Sequence, residues 1–154
     1  MDEIEAGDWK ARLKAYQNIY QMMINPSKEL LTQLLSNLPN YLSDIHPNCQ
    51  QIALLICEKF FEVSPYVNYP QISQVLINNC LGSKQQAVDW AIALISKCLR
   101  ENRKEVMDQL INGLEKKGTQ IILNVISIIV AHLATLTSQN TEEALDIIAK
   151  LKPL

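Results

Sequence analysis

The stretch Asp8-Trp9-Lys10-Ala11-Arg12-Leu13-Lys14-Ala15-Tyr16-Gln17-Asn18-Ile19-Tyr20-Gln21-Met22-Met23 decides the fold class. Its large side chains Trp9, Leu13, Tyr16, Tyr20 and Met23 follow at intervals of four, three, four and three residues. That spacing lines one face of a helix but would scatter over both faces of a strand. Asp8 supplies an N-cap and Pro26 a stop.

The same grammar repeats outward from this helix. Ser27 caps a second helix with Leu30, Leu31, Leu34, Leu35 and Leu38 inward, kinked at Pro39 and resuming through Leu42. After a short loop over 44–48, Pro47 takes the first position of a third helix carrying Ile52, Ile56, Phe60 and Val63, which ends before Pro65. Residues 64–70 form the longest irregular connection. A fourth helix with Ile72, Leu76 and Cys80 ends at Gly82, a residue type suited to a left-handed helix terminus. Ser83 with Gln86 forms a capping box for a fifth helix, with Ala87, Trp90, Ala91, Leu94, Ile95 and Cys98 inward. Asn102 with Glu105 opens a sixth through Val106, Leu110 and Leu114, ending near Gly118. Thr119 caps a seventh with Ile122, Val125, Ile129, Leu133 and Leu136, and Asn140 with Glu143 opens an amphipathic eighth with Leu145, Ile148 and Leu151.

Comparable starts recur at Trp9, Asn48, Lys84 and Gln120, a period of roughly 35 to 40 residues that matches HEAT or armadillo repeats. The expected fold is all-α, an α-solenoid of about four antiparallel helix pairs, forming a single domain over 1–154. Alternate loops of such a stack share an edge. The helix starts and loops near Trp9, 44–48, 82–84 and 116–120 fall on one edge, and the loops at Pro26, Pro65 and Asn102 on the other. Short loops on a rigid scaffold make the first edge the better contact surface.

Composition agrees. Among 154 residues, four Gly and six Pro are too few for a barrel or sandwich rich in tight turns. Fourteen Lys+Arg against sixteen Asp+Glu leave a net charge of −2, without the basic footprint of a general nucleic-acid binder. Cys49, Cys57, Cys80 and Cys98 form no C-x-x-C pair and read as reduced thiols, with neither disulfide nor zinc site. The longest apolar run, Ile121 to Leu136, is interrupted by Asn124, Ser127 and His132, so no membrane span is expected. The acidic start, Met1 to Asp8, is unlike a signal peptide.

No Walker loop, dinucleotide fingerprint or H-E-x-x-H is present, so no enzyme, cofactor or metal is expected. His46 beside Asp44 lacks a nucleophile and reads as a solvated loop residue. His132 reads as a hydrogen-bonded or partly exposed helix residue, Trp90 as core, and the Arg100 to Lys104 cluster as a solvated capping region.

Several strings carry a family resemblance. Trp9-Lys10-Ala11-Arg12-Leu13-Lys14-Ala15-Tyr16 resembles the opening W-K-x-R-x-x-A-Y of a TOG domain from the ch-TOG and minispindles family of microtubule polymerases. Leu42-Ser43-Asp44 with Gln50 looks like the family's V-T-D-S-N-x-V-x-Q loop, and Asn79-Cys80-Leu81 with Lys84, Gln85 and Asp89 like its K-C-F…R-Q-K-x-K-D segment. Leu110 to Leu114 with Glu115, Lys117 and Ile121 looks like L-L-K-G-L-D-x-K-x-P-K-I, and Leu151-Lys152-Pro153 resembles the L-K-P that opens the next repeat. The match is most like the first TOG of an array.

The resemblance implies a HEAT-repeat paddle whose loop edge grips a curved αβ-tubulin dimer and serves microtubule plus-end growth and spindle organisation. It implies a protein of the cytoplasm and cytoskeleton, at microtubules and the spindle pole or centrosome. Carried over by position, the tubulin contacts are Trp9, Lys10, Ser43, Asp44, Lys84 and Lys117. The chain departs from the family at His46, Pro47 and Asn48, at Gln86 and Val88, and at Gln120, and it stops before the fifth loop, so the expectation is either a fragment truncated at the C-terminal end or an abbreviated domain. An apolar stripe of Leu145, Ile148 and Leu151 is then left as an open face for weak self-association. The alternative is a generic HEAT scaffold that binds a peptide or partner protein on its concave helical face. A VHS- or ENTH-like trafficking module is disfavoured by the acidic residues Asp2, Glu3, Glu5 and Asp8.

Overall fold

The computed structural model describes residues 7–82, 85–115, 118–136 and 141–151. Within them lie eight α-helices and no strand: α1 (Trp9–Met22), α2 (Lys28–Leu42), α3 (Pro47–Val63), α4 (Tyr69–Asn79), α5 (Gln85–Glu101), α6 (Arg103–Gly113), α7 (Thr119–Leu136) and α8 (Thr141–Leu151). The odd helices pack in sequence, α1 on α3, α3 on α5 and α5 on α7, and the even helices do the same in a second layer. The layers close on each other where α2 meets α3, α4 meets α5 and α6 meets α7. This is the expected all-helical solenoid of four successive pairs.

Several helix starts form as their caps dictate. The Asp8 carboxylate accepts from the Lys10 N–H at 2.9 Å, and the Ser27 hydroxyl from the Leu30 N–H at 3.1 Å. Each satisfies a first-turn donor that has no partner inside its helix. Pro47 stands at the start of α3 and α2 continues through Pro39. Between the layers, Leu34, Leu38, Leu42, Ala53, Ile56, Phe60, Leu76, Ile77, Ala91, Ile95, Val106 and Leu110 are essentially inaccessible. Deleting one such leucine side chain costs about 2–5 kcal/mol. Close approach of α4 and α6 depends on Gly113, where a Cβ would lie 3.3 Å from Ile77 Cγ2.

The structure corrects several local expectations. α4 stops at Asn79, with Cys80 as a right-handed C-cap, and no described glycine has a positive φ. Asn102 caps α6 without a side-chain hydrogen bond, and α6 ends at Gly113, well before Gly118. Ser83, half of the expected capping box of α5, lies outside the described residues, as does Asn140. Trp90 is not fully buried; it packs against the core from one side and borders a cleft between α3 and α5. α8 buries Ala144 and Ile147, leaving Leu145 60% and Ile148 49% exposed.

α7 spans 18 residues with a mean hydropathy of 1.9, long and apolar enough to cross a bilayer by length and composition, contrary to expectation. It packs against α5, α6 and α8, burying Val125, Ile128, Ile129 and Leu136, while Leu123, Ile126 and Val130 face outward. The four cysteines are free and buried. Burial pushes the Cys80 and Cys98 thiols up to about 12 and that of Cys57 well above its ordinary value, so they stay protonated.

Candidate functional site

The start of α1, the α2–α3 loop, the end of α4 and the start of α7 gather along one edge, tied by side-chain hydrogen bonds between distant parts of the chain. Arg12 Nε and Nη2 donate to Asp44 Oδ2 and Oδ1 at 2.8 and 3.1 Å. Tyr16 donates its hydroxyl proton to Asp44 Oδ2 at 3.0 Å, and the His46 N–H donates to Oδ1 at 2.9 Å. Gln50 is buried, and its Nε2 donates to the carbonyls of Leu42 at 3.2 Å and Asn79 at 2.8 Å, which staples the loop to α4. Asn124 Nδ2 reaches the Leu81 carbonyl at 2.7 Å and joins α7 to the same edge.

These contacts set the electrostatics. Burial alone would raise the pKa of Asp44, but the hydrogen bonds from Arg12, the His46 amide and Tyr16 outweigh it and hold the carboxyl below its ordinary value. Burial, reinforced by the neighbouring Asp44 charge, raises the Tyr16 phenol, which stays protonated and available as a donor. The Asp44 side chain is only 3% exposed. Its carboxylate organises the loop from within.

Trp9 opens α1 half-buried, and its ring lies parallel to that of His46 with centroids 3.9 Å apart and planes 7° from coplanar. The Cys49 thiol donates to the Trp9 carbonyl at 3.3 Å. Lys10 is exposed, with its ammonium 5.8 Å from the Trp9 ring centroid, within cation–π range. Ser43, the exposed C-cap of α2, donates to the Pro39 carbonyl at 2.8 Å and accepts from Asn79 Nδ2 at 3.4 Å. Trp9, Lys10, Ser43 and Asp44 therefore sit together, whereas Lys84 and Lys117 lie outside the described residues. His46 is not a free loop histidine: it caps α3, stacks on Trp9 and has a buried Nδ1 with no partner.

Ile45, between Asp44 and His46, escaped the sequence reading. It is 94% exposed, the most exposed large apolar side chain among the described residues. A lone isoleucine within a five-residue polar loop was the available signal; helical periodicity has nothing to say there. At the positions that depart from the family pattern, Asn48 and Gln120 are exposed, Gln86 accepts from Gln51 Nε2 at 3.4 Å, and Val88 is buried in the core.

The edge offers an aromatic ring, an ammonium, an isoleucine and small polar groups, and no group of metal ligands occurs among the described residues. That is the chemistry of a contact surface. No curated protein matches the chain significantly. Among solved structures it is similar to a designed armadillo repeat protein, YIII(Dq)4CqI, at 13% identity and a TM-score of 0.32, over 98% of this chain and 96% of that one. The family model described as "XMAP215/Dis1/CLASP, TOG domain" matches residues 2–154, nearly the whole chain. On that match the chain belongs to the XMAP215/Dis1/CLASP TOG-domain family.

Proposed function

We propose that this domain binds a curved αβ-tubulin dimer through the edge formed by Trp9, Lys10, Ser43 and Ile45, and that it acts as a binding module without catalysis. The observation that carries the reading is the clustering of Trp9, Lys10 and the almost fully exposed Ile45 on an edge braced by Arg12 and Asp44. A preorganised aromatic and apolar anchor with a polar rim is the usual centre of a protein interface. In this reading Asp44 positions the loop, and Lys84 and Lys117 extend the contact as basic groups. The module serves plus-end growth and spindle organisation in the cytoplasm, at microtubules and the spindle pole or centrosome. A polymerase effect requires linked modules that raise the local dimer concentration.

The test is gel filtration with purified, unpolymerised tubulin. A shared elution peak that Trp9→Ala weakens by on the order of 2 kcal/mol supports the reading. Unchanged elution and sedimentation at saturating tubulin overturns it. Binding that persists undiminished in Trp9→Ala moves the contact to another surface, such as the helical face.

A further inference from the structure

Three successive residues of the α2–α3 loop are held differently. Asp44 turns in to Arg12 and Tyr16, Ile45 is left 94% exposed, and the His46 ring lies flat on Trp9. His46 precedes a proline, whose ring confines the residue before it to extended backbone. The φ of −85° and ψ of 124° at His46 lie in that region. The His46 N–H is also held by Asp44 Oδ1 at 2.9 Å. Backbone direction at His46 is therefore set twice, by Pro47 and by a carboxylate that Arg12 clasps in turn. His46 and Pro47 are both positions at which the chain departs from the family pattern, so this arrangement is built from the chain's own residues.

The indole across from it has weaker support of its own. A helical side chain normally lies over the turn that precedes it, and Trp9 stands at the first position of α1, with no preceding turn of its own helix. The Cys49 thiol donates to the Trp9 carbonyl at 3.3 Å, which ties the backbone to α3 but leaves the side-chain torsions free. The imidazole supplies the missing wall. With ring centroids 3.9 Å apart and planes 7° apart, one whole face of the indole is covered. His46 Nδ1 is buried without a hydrogen-bond partner, so no bond at that atom draws the imidazole elsewhere.

We infer, on the basis of the tubulin reading, that His46 is a positioning residue for tubulin binding: its ring holds the Trp9 indole in one orientation before the partner arrives. A side chain that is already ordered loses less conformational freedom on binding. Truncating the imidazole leaves Pro47 and the Asp44 bond to the His46 N–H in place, so the loop and Ile45 keep their positions and the effect falls on Trp9 alone.

The chain has two tryptophans, so Trp90→Phe leaves Trp9 as the only one. In that background, time-resolved fluorescence anisotropy reads the motion of the indole itself, since rotamer exchange falls in its picosecond-to-nanosecond range. His46→Ala is expected to add a fast component that the parent lacks, and His46→Phe, which keeps a ring to stack, is expected to leave the parent decay unchanged. Labelled tubulin should bind His46→Ala roughly two- to tenfold more weakly, the range for one newly ordered side chain, and His46→Phe as tightly as the parent. Once Trp9→Ala is present, His46→Ala should weaken binding no further. All variants are compared below their own melting transitions. An anisotropy decay unchanged by His46→Ala overturns the inference, as does weakened binding by His46→Phe. A loss of equal size in the Trp9→Ala background also overturns it, by making His46 a direct contact. Failure of the parent to bind tubulin overturns the tubulin reading instead, and the anisotropy then still decides whether His46 holds the ring.

Discussion

The guanidinium of Arg12 on α1 clasps the carboxylate of Asp44 in the α2–α3 loop through two hydrogen bonds, 32 residues apart in sequence, with the Asp44 side chain 3% and that of Arg12 16% exposed. This pair fixes the loop that carries Ile45 and His46 against the helix that carries Trp9. Four predictions rest on the edge it holds and on the far end of the stack.

Asp44→Ala removes the carboxylate that Arg12 and Tyr16 share as an acceptor. The loss should be about 3 kcal/mol, the lower bound for breaking a buried pair, because Arg12 keeps some water. The thermal midpoint should fall by roughly 6–12 °C. Since the folded pKa of Asp44 lies below its unfolded value, its contribution is present above the unfolded pKa and lost as pH falls through the folded one. Thermal scans should show native stability falling more steeply below about pH 4 than that of Asp44→Asn. Parallel acid profiles would remove Asp44 from the bracing role.

The Trp9–His46 stack predicts energetic coupling. A double-mutant cycle of Trp9→Ala and His46→Ala, read by denaturant unfolding, should give about 0.5–1.5 kcal/mol. Additivity within experimental scatter would mean that the rings merely adjoin.

Ile45 separates contact from stability more cleanly than Trp9 does, because its side chain packs on almost nothing. Ile45→Ser should keep the midpoint within about 0.5 kcal/mol of native stability. In the tubulin reading it should weaken binding by about 1–2 kcal/mol. Titration with labelled tubulin checks this, and an unchanged affinity would confine the interface to Trp9 and Lys10.

At the far end, α8 is held by Ala144, Ile147 and the ion pairs Arg103–Glu143 and Lys150–Asp108, which are surface pairs of small worth. Its amides should exchange by local opening, well before those of α3 and α5. If a second copy covers Leu145 and Ile148, protection of α8 should rise with protein concentration, and Leu145→Glu should abolish that rise. Strong protection at every concentration would identify α8 as a cap in its own right.

The sequence by itself determined the helices, their order and the solenoid class. Caps such as Asp8 and Ser27 act within three residues, and the apolar spacing of α1 to α3 is a property of one helix at a time, so both are legible without a partner. The repeat period then put Trp9 and the 44–48 loop on a common edge. Only the tertiary structure decided what the side chains on that edge face. Asp44 turns inward to Arg12 and Tyr16, His46 stacks on Trp9 from 37 residues away, Gln50 bridges α2 to α4, and Ile45 is left bare. Trp90 shares the periodicity of a core residue yet borders a cleft, because the width of the gap between α3 and α5 depends on both helices. A local pattern says which face of a helix is apolar; how much of that face is covered is set by elements packed against it from elsewhere in the chain.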